Sequence, residues 1–366
     1  MKDTVKALDD QFLRQTLILA RKGLGRTLPN PMVGAIIVKH RKIIGKGYHH
    51  QFGKAHAEIE ALRNIKDSAK DATLYVNLEP CSHQGKTPPC VEAIILSGIS
   101  RVVCSTLDPN PSVCGNGVAL LRQAGINVSV GAMTDEAKLL NEAFFQFHEQ
   151  HRPYIAIKFA ASLDGKIATY SHDSKWITNE KARLYARSLR SKFQAVLVGV
   201  NTVNYDNPNL GIRIHGKSDP LRIVLDNTLR IASSSQILRD NNVLIITSRR
   251  ASKSKLNDFN SRGIPIYICK NNIIRLPEVM EELSRREIIS VLVEGGGSVL
   301  GSFIDARLAD KVYAFYGPII IGGTAAISAV AGLGTNKVSN ALQLNNLSIK
   351  RFDDTFMISA NVSNLA

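Results

Sequence analysis

Apolar positions along the chain alternate between a helical rhythm and a strand rhythm. Phe12, Leu13, Leu17, Ile18 and Ala20 follow helical spacing across residues 11–22, and "LPNPMVG" then interrupts it. "VGAIIV" and "KIIGKGYH" read as paired strands joined by the basic turn "KHRK". "AHAEIEALRNI" returns to helical periodicity, and "TLYVNLEP" is rich in β-formers. A helix in "CVEAIILSGI", a strand in "RVVCSTLDPNP", a helix in "GVALLRQAGI" and a short strand in "NVSV" close this series near Gly131. Strands alternating with helices predict α/β layers.

One helix is expected over residues 134–150, "TDEAKLLNEAFFQFHEQ", ended by the proline of "HRPY". "YIAIKFAAS" then opens a second series containing "AVLVGV", "LRIVLD", "NVLIITS", "PIYIC", "SVLVEGGG" and "KVYAFYGPIII". Continuous apolar strands of this kind predict a second α/β domain with a mostly parallel sheet. The expected domains are 1–150 and 151–366. A length of 366 residues suits two domains.

No apolar run approaches the ~20 residues of a bilayer span, and the first residues mix acids with bases, so neither a membrane nor a signal peptide is expected. Five cysteines in no framework spacing point to a reducing, cytoplasmic setting, where sulfur more often holds metal. The net charge of +15 suits nucleic acid or a phosphorylated small substrate. The densest basic clusters, "RKGLGR" and "SRRASKSK", do not interleave with aromatics, which argues against nucleic acid.

"HAE" at His56 to Glu58 and "PC…C" through Cys81 and Cys90 change the picture further. Zinc catalysis needs three protein ligands, an open position for water and a separate proton carrier. His56, Cys81 and Cys90 supply an N,S,S set, and Glu58 remains off the metal as general acid and base. Each pair opens an expected helix, whose N-terminus favours thiolate. This is the arrangement of zinc-dependent cytidine-type deaminases, in which a zinc-activated water attacks an amino-bearing ring carbon. A closed zinc knuckle is the structural alternative; it needs a fourth ligand from Cys104, Cys114 or His83 and has no use for Glu58.

Nucleic-acid deaminases of this type carry two residues between the cysteines. Here the loop is "SHQGKTPP", and Lys86 within it suggests a substrate bearing a phosphate. "NPMVGA", "GYHHQFGKAHAE", "EPCSHQGKTPPC" and "DPNPSVCGNG" together resemble the deaminase half of the bifunctional riboflavin-biosynthesis deaminase–reductases. The resemblance implies zinc on His56, Cys81 and Cys90, with Glu58 carrying protons. It implies Asn30 and His49 at the pyrimidine, and Lys86, Asp108 and Asn110 near the ribose phosphate. Ala55 stands where the family usually has proline, and Cys114 where it usually has a small residue.

"VLVEGGGSVLGSFI" is a strand, three glycines and a helix, a form that suits a cofactor pyrophosphate but lacks the dinucleotide-binding glycine spacing. With "RPYIAIKFAASLDGKIA", "SKWIT" and "ARSLRSKFQAVLVGVNTVNYDNPNL" it resembles the reductase half of the same family. That resemblance implies an α/β chain with an N-terminal cytidine-deaminase-like α/β/α domain followed by a dihydrofolate-reductase-like α/β domain. It implies NADPH at Ala160, Trp176, Thr202, Asp206 and Asn227. The run Gly296, Gly297, Ser298, Val299, Leu300, Gly301 and Ser302 is implied for the same cofactor.

The substrate positions it implies are Ser174, Arg190, Leu210, Arg213 and Glu294, with the two arginines as phosphate partners. Lys158 is a further candidate at the reacting ribose. A phosphoribosylamino diaminopyrimidinone is then deaminated by water, and NADPH reduces its opened ribose to a ribityl chain. A homo-oligomer is also implied. The rival reading, a nucleic-acid deaminase with a basic C-terminal binding module, predicts a short cysteine spacing and an aromatic track, and the sequence has neither.

Overall fold

The computed structural model describes residues 2–83, 88–111, 113–213 and 218–363. The chain divides into two compact units, Met1–His151 and Arg152–Ala366. Among the described residues no helix is long and apolar enough to cross a membrane.

The first unit contains α1 (Lys2–Ala20), β1 (Gly34–Lys39), β2 (Lys42–Tyr48), α2 (Ala57–Arg63), β3 (Thr73–Val76) and α3 (Cys90–Leu96). It continues with β4 (Arg101–Cys104), α4 (Asn116–Gln123), β5 (Asn127–Val130), α5 (Thr134–Leu140) and α6 (Glu142–Gln150). The strands form one sheet in the order β2-β1-β3-β4-β5. β1 pairs antiparallel with β2 and β3, while β3, β4 and β5 run parallel.

β1 is apolar from Gly34 to Val38, before its terminal Lys39, because both its faces are covered. Ala35 and Ile37 join the core under α2, α3 and α4, whereas Ile36 and Val38 meet Phe12 and Leu13 of α1. The turn between β1 and β2 places His40 and Arg41 at φ 49° and 60°. α2 lies directly on β2: a Cβ on Gly47 would sit 2.3 Å from the Ala57 carbonyl oxygen. That close approach sets the height of the helix whose first residues carry the candidate chemistry.

The expected helix over 134–150 is broken in two. Asn141 leaves helical geometry (φ −116°, ψ 31°), and its side chain is engaged by Met32. Periodicity reports apolar spacing and does not register a side-chain amide captured by a distant backbone. α1 also begins earlier than residue 11, at Lys2, and Leu8 already packs against the cluster of Phe12 and Leu13.

The second unit contains β6 (Tyr154–Ala161), β7 (Lys166–Ala168), α7 (Glu180–Leu189), β8 (Ala195–Gly199), α8 (Val200–Asp206) and β9 (Leu221–Leu225). Then follow β10 (Val243–Thr247), α9 (Lys253–Ser261), β11 (Ile266–Ile268), α10 (Leu276–Arg285) and β12 (Ser290–Val293). α11 (Gly297–Asp305), β13 (Lys311–Tyr316), β14 (Ile327–Ser328), β15 (Leu344–Phe352) and β16 (Thr355–Val362) complete it.

Its main sheet has the order β11-β10-β9-β8-β12-β6-β13-β16-β15. The strands from β11 to β13 run parallel; β16 and β15 add an antiparallel edge. The parallel core gathers Ile155, Ile157, Leu197, Ile223, Leu244, Val291 and Phe303. β15 gave no strand signal because it is Asn-rich, and all but its last residue are exposed.

Candidate active sites

In the first unit, His56 stands immediately before α2, Cys90 is the first residue of α3, and Cys81 follows β3. Each sulfur lies 3.4 Å from His56 Nδ1, and the Cys90 N–H donates to the Cys81 sulfur. The three ligand atoms lie within 4.8 Å of one another, and among the described residues no other His, Cys, Asp or Glu joins this group. Cys104, Cys114 and His83 therefore do not complete a closed knuckle.

The hydrogen bond from Cys90 holds the Cys81 thiol well below its ordinary range, and the same contact raises Cys90. Contact with Cys81 raises the His56 imidazole. Three donors crowded onto one point share protons that a divalent cation would displace, so the set fits zinc.

Glu58 is buried on the first turn of α2, and among the described residues its Oε2 has no hydrogen-bond partner. Burial pushes its carboxyl up to about 7, although His56 pulls the other way. A carboxyl poised there can both take and give a proton near neutral pH. An orphaned buried oxygen is a cost that a bound water or substrate amine would remove.

His49 is buried beside His56, with ring centroids 5.3 Å apart, and burial lowers its pKa. In the neutral ring, Nδ1–H donates to the Ala55 carbonyl at 3.1 Å, which leaves Nε2 to accept from Asn30 Nδ2 at 3.3 Å. Asn30, His49, His56, Glu58, Cys81 and Cys90 thus form one connected site.

Asp108 is also buried, accepts the Asn110 N–H at 2.8 Å, and is pushed up to about 6 by burial. Lys86 lies outside the described residues. Cys114 is exposed. Sequence reasoning passed over Glu79, although it stands in the "EPC" motif, and Asn77 and Asn141, which carry no motif at all.

In the second unit a cavity of about 520 Å³ opens at the carboxyl ends of β6, β8 and β12. Lys158, Ala160, Ser174, Trp176 and Arg190 line it, as do Thr202, Asp206, Leu210, Arg213, Glu294 and Gly296. Glu294 is held by Arg190 through Nε at 2.7 Å and Nη2 at 3.0 Å, with Lys158 Nζ at 3.7 Å. Burial raises the Glu294 carboxyl, but the two cations outweigh it and hold it at about 2. Burial lowers the Lys158 ammonium. Trp176 is 67% exposed, so it does not serve the core; the Arg183 guanidinium lies 4.2 Å over its ring.

The remaining predicted positions divide. Asn227 lies two residues beyond β9, and its Oδ1 accepts the Ile274 N–H at 2.8 Å. Leu300 is core, and a Cβ on Gly297 or Gly301 would strike the Ser328 or Ala331 carbonyl. In this run Leu300 fills the core, and Gly297 and Gly301 allow the close approach of the Ser328 and Ala331 backbone. Arg187, absent from the sequence reading, also lines the cavity. Burial and the repulsion of Arg213, Arg190 and Arg183 lower its pKa.

A model of the RibD C-terminal domain matches residues 153–358. The cytidine and deoxycytidylate deaminase zinc-binding region matches residues 6–106. The riboflavin biosynthesis protein RibD of Bacillus amyloliquefaciens is 43% identical over 340 residues, 92% of each chain. The chain belongs to the RibD family.

The structure of Acinetobacter baumannii RibD superposes with a TM-score of 0.89 at 33% identity, covering 98% of this chain and 100% of that one. The diaminohydroxyphosphoribosylaminopyrimidine deaminase/5-amino-6-(5-phosphoribosylamino)uracil reductase of Thermotoga maritima gives 0.87 at 36% identity, covering 98% and 99%. The chain is therefore a bifunctional deaminase and reductase of riboflavin biosynthesis, using zinc and NADPH. Its fold is a cytidine-deaminase-like domain and a dihydrofolate-reductase-like domain. Related enzymes act on small phosphorylated molecules.

Proposed function

We propose that residues 1–150 deaminate a phosphoribosylamino diaminopyrimidinone and that residues 151–366 reduce the ribose of the product with NADPH. The observation that carries the first half is the buried Glu58, whose Oε2 lacks a hydrogen-bond partner among the described residues, beside the His56, Cys81 and Cys90 donor cluster. His56, Cys81 and Cys90 would hold zinc, which supplies an activated water and polarisation of the ring. Glu58 removes a proton from the attacking water and delivers it to the departing ring amine, so that water adds and ammonia leaves. Asn30 and the neutral His49 orient the pyrimidine through polar edges. Lys86, Asp108 and Asn110 take the ribose phosphate end.

In the second unit the cavity supports a reductase reading. Ala160, Trp176, Thr202, Asp206 and Asn227, with backbone of the run Gly296 to Ser302, bind NADPH, which supplies a hydride to the opened ribose. Lys158 and Glu294 contact that ribose, and Ser174 and Leu210 border it. Arg213 meets the phosphate, together with whichever donors of Arg190 its pairing with Glu294 leaves over.

A cytoplasmic location, self-association and no nucleic-acid partner belong to the same reading. All five cysteines are unpaired, and edge strand β15 exposes Leu344, Leu347 and Ile349. The test supplies the phosphoribosylamino pyrimidine with and without NADPH and follows ammonia release and cofactor oxidation separately. Ammonia release that needs zinc but not NADPH is expected. Cofactor oxidation on the untreated substrate with no ammonia released would overturn the order of steps.

A further inference from the structure

We propose that Glu79 is a positioning residue that locks Asp108, Gly115 and Val118, and through Asp108 also Asn110, onto the stretch that carries Cys81. This deepens the proposed deaminase reading and rests on it, because it takes Asp108 and Asn110 as contacts of the ribose phosphate.

Glu79 is 3% exposed and stands two residues before Cys81. Its Oε2 accepts the N–H groups of Asp108 at 3.1 Å and Gly115 at 2.9 Å, and its Oε1 accepts that of Val118 at 3.0 Å. Its own N–H donates to the Thr106 carbonyl at 3.0 Å. Among the described residues Glu79 makes no ion pair. A buried carboxylate satisfied by three backbone amides is tied to the path of that backbone, since removing any one donor leaves charge unmet.

The three donors come from three parts of one segment. Asp108 begins it, Gly115 turns it at φ 76°, and Val118 lies in the first turn of α4. The fit is tight, because a Cβ on Gly117 would lie 2.1 Å from the Pro80 carbonyl oxygen. Within the segment, Asp108 accepts the Asn110 N–H, and the Asn110 carbonyl accepts those of Val113 and Cys114. One carboxylate therefore sets the distance between a sulfur of the zinc centre and the residues that read the substrate's far end. Glutamine cannot replace it: a single amide oxygen cannot serve all three N–H groups, and its NH₂ would face at least one of them.

The test uses the full chain. Glu79→Gln is expected to bind one zinc per chain and to reduce supplied deaminated product normally. Its deaminase KM for the phosphorylated pyrimidine should rise at least about tenfold while kcat changes little. Its preference for the 5′-phosphate over the unphosphorylated riboside should shrink by a similar factor. Gly115→Ala, which meets open space but strains a left-handed backbone, should move KM in the same direction by less; it carries the test should Glu79→Gln not accumulate folded.

An unchanged KM in a zinc-loaded Glu79→Gln, or a fall in kcat alone, overturns the proposal. Asp108→Ala separates the two levels. If it too leaves KM unchanged, the phosphate reading of the segment fails; if it raises KM while both other variants do not, only the role of Glu79 fails.

Discussion

The side-chain amide of Asn141 pairs with both backbone polar groups of Met32. Oδ1 accepts the Met32 N–H at 2.8 Å, and Nδ2 donates to the Met32 carbonyl at 3.0 Å. Asn77 donates to the same carbonyl and accepts the Gly34 N–H. The loop bearing Asn30 is thus held from the junction of α5 and α6, well outside the zinc-binding motif. Asn141→Ala should destabilise the first unit by about 1 to 2 kcal/mol and raise the deaminase KM, with zinc retained. A thermal melt and an ammonia assay check this; wild-type values in both would show that the pairing is incidental.

Glu58→Gln keeps the volume and removes the proton carrier. Ammonia release should fall by about two to four orders of magnitude, with zinc bound and reduction of supplied deaminated product intact. Loss of both activities in zinc-loaded protein would contradict two separate sites.

Glu294 makes the second unit sensitive to acid in a definite direction. Its carboxyl lies at about 2 in the fold, against an ordinary 4.5. A depressed pKa contributes stability that is complete above 4.5 and is lost as pH falls from 4.5 towards 2. Trp176, the single tryptophan, reports on this unit. Denaturant unfolding followed by its fluorescence should show stability dropping across that window in wild type and a flatter profile in Glu294→Gln. Equal slopes would mean that the pair with Arg190 and Lys158 contributes nothing.

Arg187 shares the reductase cavity with Arg213, and among the described residues neither has a carboxylate partner. Arg190 is committed to Glu294 and to the Gly211 carbonyl. Arg187→Ala should therefore raise the reductase KM for the phosphorylated substrate by about tenfold and leave ammonia release unchanged. Steady-state kinetics on both steps decide it; an unaltered reductase KM removes Arg187 from phosphate binding.

The first unit's strands and the zinc-site motifs were legible in the chain for a local reason. "VGAIIV" and "KIIGKGYH" declare their period within a few residues, and "HAE" with "PC…C" carries donors whose chemistry is limited to few uses. The hairpin of β15 and β16 was not legible, because an exposed edge strand needs no apolar alternation. The break at Asn141 was hidden because its cause lies 109 residues away in Met32.

The amino-acid order was enough to announce two α/β series, a zinc-competent donor set and a proton carrier, since each follows from residue type at short range. It could not say that Glu79 would gather three amides, that Arg190 would turn to Glu294 and leave Arg187 facing the cavity, or that Leu300 and Gly301 would serve packing. Those outcomes depend on which backbone groups come within about 3 Å of one another, and only the assembled fold sets such distances.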